Sequence, residues 1–281
     1  MRRSYIFTIV AVSLLVGATL FTIFLLKRDK VLTVAFLDVG QGDAIFIESP
    51  EGVQVLIDGG PDSSVVRELS SVLPLYDRTI DMLVISNPDE DHTRGFLDVL
   101  ARFTVSYVLE PGTHKDTVVY KELEQSIKEE GATRMFPKRG DTIDLGGEAY
   151  LEILFPDRDA GGLEPNTGSL VARLVYGETE VFLSGDAPAS VEKYLAMLDG
   201  EKLKSDILKA GHHGSRTSTS EELLSAVMPS VAVISSGKNS RYGHPHKEVI
   251  ERLLDFGIET HITAKEGTVV YVSDGITLRR K

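Results

Sequence analysis

The apolar run Met82-Leu83-Val84-Ile85 ends in Ser86-Asn87-Pro88-Asp89-Glu90-Asp91-His92, which places three carboxylates and an imidazole at four consecutive positions just past a strand-like segment. Crowded carboxylates repel one another, and an ordered cluster needs compensation, most simply a bound cation. A chain built around this segment has to present a strand end as a site, because the sheet then fixes the base of the loop that carries the ligands. The segment predicts a metal centre at a strand end, and with it a hydrolytic enzyme.

Cysteine is absent from the 281 residues, so any metal must be held by His, Asp, Glu, Asn or backbone oxygens. Tyr5 to Leu26 is an unbroken run without a charge, preceded by Arg2 and Arg3 and followed by Lys27, Arg28 and Lys30. A cleaved signal peptide has a shorter apolar core and a small-residue cleavage site, so the run reads as an uncleaved single-pass membrane anchor spanning about residues 5–26. Basic residues on both flanks leave its orientation open. The expected division is an anchor over residues 1–30 and one domain over 31–281. That domain retains 25 of the 30 Lys and Arg and 41 of the 42 Asp and Glu, a formal charge of −16. So acidic a body is a poor general polyanion binder and mildly favours a small substrate, although a metal pocket would invert the field locally.

Within the body, β-rich runs at 32–37, 44–48 and 53–57 are separated by Gly40-Gln41-Gly42-Asp43 and Pro50-Glu51-Gly52. Asp58-Gly59-Gly60-Pro61 ends the third run, and Asp62 or Ser63 caps a helix through Ser71. Strands are expected at 82–86, 105–109, 150–155, 170–176, 180–184, 206–209, 231–235, 259–263 and 268–273, and helices at 94–103, 118–130, 189–198, 221–227 and 247–256. Strand groups with helices between and around them suggest two sheets packed face to face with helices outside.

Four segments place a potential ligand just past a strand: Asn87 to His92, Asp186 in Leu183-Ser184-Gly185-Asp186, His212-His213, and His244-Pro245-His246. Each alone has a plain structural reading, since an Asp after Gly is often a turn residue or helix cap. Their recurrence in one chain points to a site.

Together with Phe36-Leu37-Asp38-Val39-Gly40-Gln41-Gly42-Asp43-Ala44, Leu56-Ile57-Asp58-Gly59-Gly60, Lys209 to Ser215 and Tyr242 to His246, these segments resemble the metallo-β-lactamase superfamily, whose first motif is His-x-His-x-Asp-His. They are most similar to the hydrolase domain of ComEC-type DNA-uptake proteins, over residues 32–275. The resemblance implies an α/β, four-layer αββα sandwich, here preceded by one transmembrane helix, with a two-metal site between the sheet edges. It implies Asp91 and His92 on one ion, Asn87 and Asp89 on the other, and Asp186 bridging them. Two cations about 3.5–4 Å apart activate a shared hydroxide and stabilise an in-line phosphoryl displacement. One of His212 and His213 would be a ligand and the other would face the substrate phosphate or leaving group, with Ser215 assisting. His244 would complete a metal shell or donate a proton, and His246 would cap the following helix. Asp91, His213 and His244 are thus the expected catalytic residues. A single span cannot form the ComEC channel, so DNA transport does not carry over.

The departures are Asn87 and Asp89, which stand where the superfamily has histidines, and the absence of its third histidine, in whose neighbourhood Asn166-Thr167-Gly168-Ser169 lies. The resulting oxygen-rich set favours Mn²⁺ over Zn²⁺. Asp38 and Asp43 read as turn residues, Asp58 as a turn residue or a brace for a metal histidine, and His114 as a surface residue. His261 reads as a core or sheet-face residue. Tyr242 would stack on a base or pack, while Lys209, Arg216, Lys238 and Arg241 would meet phosphates or pair with carboxylates. The leading expectation is a membrane-anchored, metal-dependent phosphodiesterase acting on DNA, its domain on the extracytoplasmic side as in ComEC proteins. A hydrolase of a small phosphoester or other ester, and a non-catalytic domain that has lost its metal pair, are the alternatives.

Overall fold

The computed structural model describes residues 2–26, 31–238 and 240–281. The chain divides into two units, Met1–Lys30 and Val31–Lys281.

The first unit contains α1 (Arg2–Leu26), 25 residues long. Among the described residues no helix is long and apolar enough to cross a membrane. The structure therefore does not support the expected span, and Lys27, Arg28 and Lys30 lie outside the described residues.

The second unit holds two sheets. The first contains β1 (Leu32–Phe36), β2 (Ile45–Glu48), β3 (Gln54–Ile57), β4 (Thr79–Val84), β5 (Thr104–Leu109), β6 (Thr133–Met135), β14 (Val269–Ser273) and β15 (Leu278–Arg280). Their order is β15-β14-β1-β2-β3-β4-β5-β6, antiparallel from β15 to β3 and parallel from β3 to β6. The second contains β7 (Thr142–Gly146), β8 (Ala149–Phe155), β9 (Val171–Tyr176), β10 (Thr179–Leu183), β11 (Ile207–Lys209), β12 (Val231–Ile234) and β13 (Glu259–Ile262). Its order is β13-β12-β11-β10-β9-β8-β7, parallel from β10 to β13 and antiparallel elsewhere.

Alternation along the strands explains the layering. Val34, Phe36, Ile45, Ile47, Val55 and Ile57 of the first sheet share one cluster with Leu151, Ile153, Leu174 and Leu183 of the second. The intervening residues of the first sheet, Ala35, Phe46 and Leu56, face outward beneath α2 (Ser64–Val72), α4 (Gly95–Leu100) and α5 (Val118–Glu130), packing with Val65, Leu69, Phe96 and Leu123. On the other side Phe182, Leu208, Ala232 and Ile234 pack with α6 (Ala189–Asp199), α7 (Glu221–Val227) and α8 (Lys247–Asp255). Three cores in series make the αββα sandwich, as expected.

The differences from the expected elements are local. The acidic stretch itself begins a one-turn helix, α3 (Glu90–Thr93), and α9 (Thr263–Glu266) is another single turn. β6 is a short, largely exposed edge strand without a period-2 apolar signal, whereas β7, also at an edge, alternates with Ile143 and Leu145 turned to the core, a two-residue apolar signal that the expected elements leave out. Ser63 takes the N-cap position of α2 without a side-chain cap bond, and Asp62 just before it accepts the Ser64 N–H at 2.8 Å.

Two close approaches hold the site end together. Gly95, which starts α4, lies against the Gly59 carbonyl, and Gly42 lies against the Asp91 carbonyl with φ 141°. A β-carbon at Gly42 would meet that carbonyl and come within 3.1 Å of the Pro61 ring. Gly42→Ala is therefore expected to lower stability by about 2 kcal/mol or more. Gly162→Ala, with nothing within 4 Å of the added carbon, should be near neutral; equal denaturation midpoints for the two variants would refute the close-packing argument.

Candidate metal centre

Parallel strands β3 and β4 of one sheet and β10, β11 and β12 of the other point their carboxyl ends to the same edge of the sandwich, where ligands of open α/β sheets commonly bind. Asp43 lies in the β1–β2 loop, Asp58 follows β3, His92 sits in α3 after β4, Asp186 follows β10, and Lys209 ends β11 ahead of His212 and His213.

Asp43, His92, Asp186 and His213 are all buried, and one ligating atom from each lies within 4.8 Å of the others. His92 Nε2 is 3.2 Å from Asp186 Oδ2, His213 Nε2 is 3.5 Å from the same oxygen, and His213 Nδ1 is 3.4 Å from Asp43 Oδ1. Asp43 Oδ1, Asp186 Oδ1, His92 Nε2 and both His213 nitrogens are buried without a hydrogen bond. Convergent lone pairs from two carboxylates and two imidazoles, all withdrawn from water, fit a divalent cation.

Asp58 braces this set. Its carboxylate accepts the Ser86 N–H at 2.8 Å and the Ser86 hydroxyl at 2.6 Å, and lies 2.8 Å from His92 Nδ1. The second imidazole nitrogen of His92 is thereby turned toward the centre, the usual arrangement for a metal histidine. Lys209 is fully buried, its ammonium paired with Asp43 Oδ2, 3.3 Å from the Gly185 carbonyl and 3.9 Å from Asp186 Oδ1. Of the two roles open to it from sequence, the carboxylate pair is realised.

The electrostatics follow from burial and these neighbours. Burial opposes ionisation of Asp43, but Lys209 and His213 outweigh it and hold the carboxyl well below its usual range. Asp186 is lowered likewise by His213 and His92 against its burial, whereas burial pushes Asp58 upward. Burial opposes protonation of both buried imidazoles, but carboxylates win: Asp186 and Asp58 raise His92, and Asp186 and Asp43 raise His213 to about 9.

The expected ligands separate into two groups. His92, Asp186 and His213 join the centre, and Asp91 stands at its rim with Oδ2 3.4 Å from His213 Nε2. Asn87 and Asp89, expected on a second ion, do not join it. Asn87 Oδ1 accepts the Asp89 N–H at 2.9 Å, and Asp89 Oδ1 pairs with Lys115 Nζ at 2.7 Å. Asp89 takes the N-cap position of α3 in extended conformation without a side-chain cap bond, and its carboxylate goes to Lys115 instead.

His212 and His213 do diverge, but not by strand alternation. Both adopt left-handed conformations, φ 48° and 55°, in a tight turn. His213 turns inward, while His212 stays at the surface with Nε2 3.7 Å from Asp186 Oδ2 and Nδ1 3.2 Å from Thr217 Oγ1. The His244 ring lies beside His212 and His213, centroids 5.6 and 6.3 Å away. Burial and the neighbouring imidazoles push it down to about 4, so it is neutral at physiological pH and offers a lone pair to a cation or a hydrogen-bond donor rather than a proton. The Ser215 hydroxyl is taken up within its own turn, 3.0 Å from Thr217 Oγ1. His246 sits at the N-cap of α8 without a side-chain cap bond, its Nδ1 accepting the Arg216 N–H at 3.1 Å. His114 is exposed and His261 is buried against Glu266. Tyr242 is exposed, stacked on His244 at 5.7 Å.

Asp43 is the residue that turn chemistry concealed. The approach of Gly42 to the Asp91 carbonyl, which places Asp43, is visible only in the folded chain.

A four-layer sandwich with imidazoles and carboxylates converging at one sheet edge defines a class, and residues 37–238 match the Metallo-beta-lactamase superfamily; the chain belongs to that superfamily. Within it, the chain is 30% identical over 255 residues to ComE operon protein 3 of Bacillus subtilis, covering 85% of this chain and 32% of that protein. It is 35% identical over 256 residues to Recombination protein 2 of Haemophilus influenzae, covering 89% and 30%. The expected likeness to competence proteins holds, and the chain spans about a third of the length of these curated relatives. Among solved structures, a diphosphatase from the PhnP family shares the fold, with TM-score 0.51, 15% identity, and coverage of 86% of this chain and 98% of that one.

Metal binding requires neutral imidazole, so the raised His213 must lose its proton when a cation enters. Apparent Mn²⁺ affinity is expected to rise by about tenfold or more per pH unit between pH 6.5 and 9 and then level off. Calorimetry in buffers of different protonation enthalpy should register proton release below pH 9; affinity flat across that interval would contradict the assignment.

Proposed function

We propose that the protein is a divalent-cation-dependent phosphodiesterase acting on DNA, carried on a membrane by its N-terminal helix. One observation supports the hydrolytic reading above the others: the buried cluster Asp43, His92, Asp186 and His213, with its ligating atoms left without hydrogen bonds. A cation held there supplies Lewis-acid polarisation of a phosphoryl oxygen and an acidified water. The flanking groups are this chain's own. Asp91 at the rim orients or accepts from a water, and neutral His244 offers a ring nitrogen as acceptor at the mouth of the site. Lys209 and Asp58 keep the ligands in place without reaching the substrate. With rim Asp91 counted beside Asp43 and Asp186, three carboxylates face two imidazoles, an oxygen-rich set that favours Mn²⁺ over Zn²⁺. DNA as the substrate draws on the competence relatives, and exposed Lys238 and Arg241 supply positive charge in the chain segment ahead of His244, while Arg216 pairs with Glu248 at 3.7 Å.

In assays of the full chain with single- and double-stranded DNA, cleavage is expected with Mn²⁺ and its loss with chelator. Asp186→Ala and His213→Ala should each reduce the rate by about a thousandfold or more, the range in which loss of metal-centred charge stabilisation falls. Retained cleavage in both variants would exclude this centre.

The anchor rests on the uncharged sequence Tyr5 to Leu26, long enough as a helix for a bilayer. The ComEC likeness suggests an extracytoplasmic body. The chain should remain with membranes through high-salt and carbonate washes and be cut by protease added outside intact cells. Release by carbonate would refute the anchor, and protection from the protease would reverse the orientation.

A further inference from the structure

The flank of the centre occupied by Asn87 has a chemistry of its own. Asn87 is fully buried, and its Oδ1 accepts the Asp89 backbone N–H at 2.9 Å. A backbone N–H can only donate, so the amide orientation is fixed: exchanging Oδ1 and Nδ2 would set two donors against each other. The NH₂ group is therefore the face left over, and Nδ2 is buried without an acceptor. An amide that presents N–H bonds repels a cation and attracts an anionic oxygen.

A second unpartnered group lies on the backbone segment beside Ser86, the residue before Asn87. Leu170 donates its N–H to the Ser86 carbonyl at 2.8 Å, and a β-carbon on Gly185 would be 3.4 Å from both Ser86 Cβ and Ser169 Cβ. Ser169 thus runs alongside the Ser86–Asn87 backbone and next to the Gly185–Asp186 turn. Its hydroxyl is fully buried and also lacks a hydrogen bond. At the outer edge, Lys115 Nζ neutralises Asp89 at 2.7 Å, which removes the carboxylate expected to draw a second cation. His212 and His244, on the open side, complete no second metal cluster among the described residues.

We propose that the centre holds one divalent ion, and that Asn87 Nδ2 and Ser169 Oγ bind a non-bridging phosphate oxygen of the substrate on the flank where a second ion would otherwise sit. The inference rests on the phosphodiesterase reading for the nature of the ligand. Donors of this kind hold the phosphoryl group at a fixed angle to the single ion, and they discriminate against esters without an anionic oxygen.

The test uses the full chain in detergent, with Mn²⁺ and thymidine 5′-monophosphate as probes and no turnover. Native mass spectrometry and calorimetry should give one tightly bound Mn²⁺ per wild-type chain. Asn87→Ala should keep that ion with affinity unchanged within about threefold, and should weaken thymidine monophosphate binding about tenfold or more, the loss expected for a hydrogen bond to a charged group. Ser169→Ala should weaken it in the same direction, and with the wild-type ion count it carries the test if the Asn87 variant does not fold. Two ions on the wild type, or a tenfold loss of Mn²⁺ affinity in Asn87→Ala, would overturn the proposal by making Asn87 a ligand. Unchanged nucleotide binding in both variants would overturn the phosphate contact alone. A wild type that holds one ion yet binds no nucleotide would overturn both the contact and the phosphodiester reading.

Discussion

The Asp43–Lys209 ion pair is the contact on which the site end depends. Both side chains are fully buried, and an unpaired charge at such depth would be prohibitive. The pair ties the β1–β2 loop of one sheet to the end of β11 in the other. Asp43 spends one oxygen on Lys209 and leaves the other without a hydrogen bond toward His213. The lysine thereby decides which lone pair faces the centre, and its own charge lets a carboxylate stay ionised where burial alone would neutralise it. Removing either partner would strand the other.

Around that pair the backbone is shaped to bring donors inward. Asp58 with φ 58° and the consecutive left-handed His212 and His213 are conformations that non-glycine residues adopt at a cost of about 1–3 kcal/mol each. Such residues persist where the surroundings over-determine them. For His213 the surroundings are two carboxylates and a buried position that no extended backbone would reach from the end of β11. Asn87 and Asp89 illustrate the opposite case: Asn87 Oδ1 is taken by the Asp89 N–H ahead of α3 and the Asp89 carboxylate by Lys115, so both are withheld from the centre.

Much of the fold was legible because strong local signals agreed with it. The helix over 118–130 was bounded correctly since Thr117 caps its start and Gly131, at φ 76°, stops it; Ser220 does the same service for α7. The parallel strands are buried apolar runs with polar punctuation. β6 escaped because an edge strand needs no apolar alternation, β7 because its alternation is limited to Ile143 and Leu145, and α3 because a one-turn helix is too short for any periodicity. In the site, His92, Asp186 and His213 were legible as donors just past strands. Asp43 and Lys209 were not, because nothing in a sequence says that residues 166 positions apart will be buried against each other. The separation of Asn87 and Asp89 from the centre also depended on side-chain direction within one turn, which residue spacing does not specify.

The ligands also have a mechanical meaning. Asp43 and His92 hang from the first sheet, Asp186 and His213 from the second, and the interior between those sheets is otherwise held by apolar packing. A cation gripped by all four would rivet the two sheets at one edge, and in the unfolded chain these four residues lie too far apart in sequence to grip it together. Occupancy would then add to folding free energy, by about 2.7 kcal/mol when the free ion exceeds its dissociation constant a hundredfold. The ion supply of the compartment in which the domain resides would thus govern how long the protein survives there, as well as how fast it reacts.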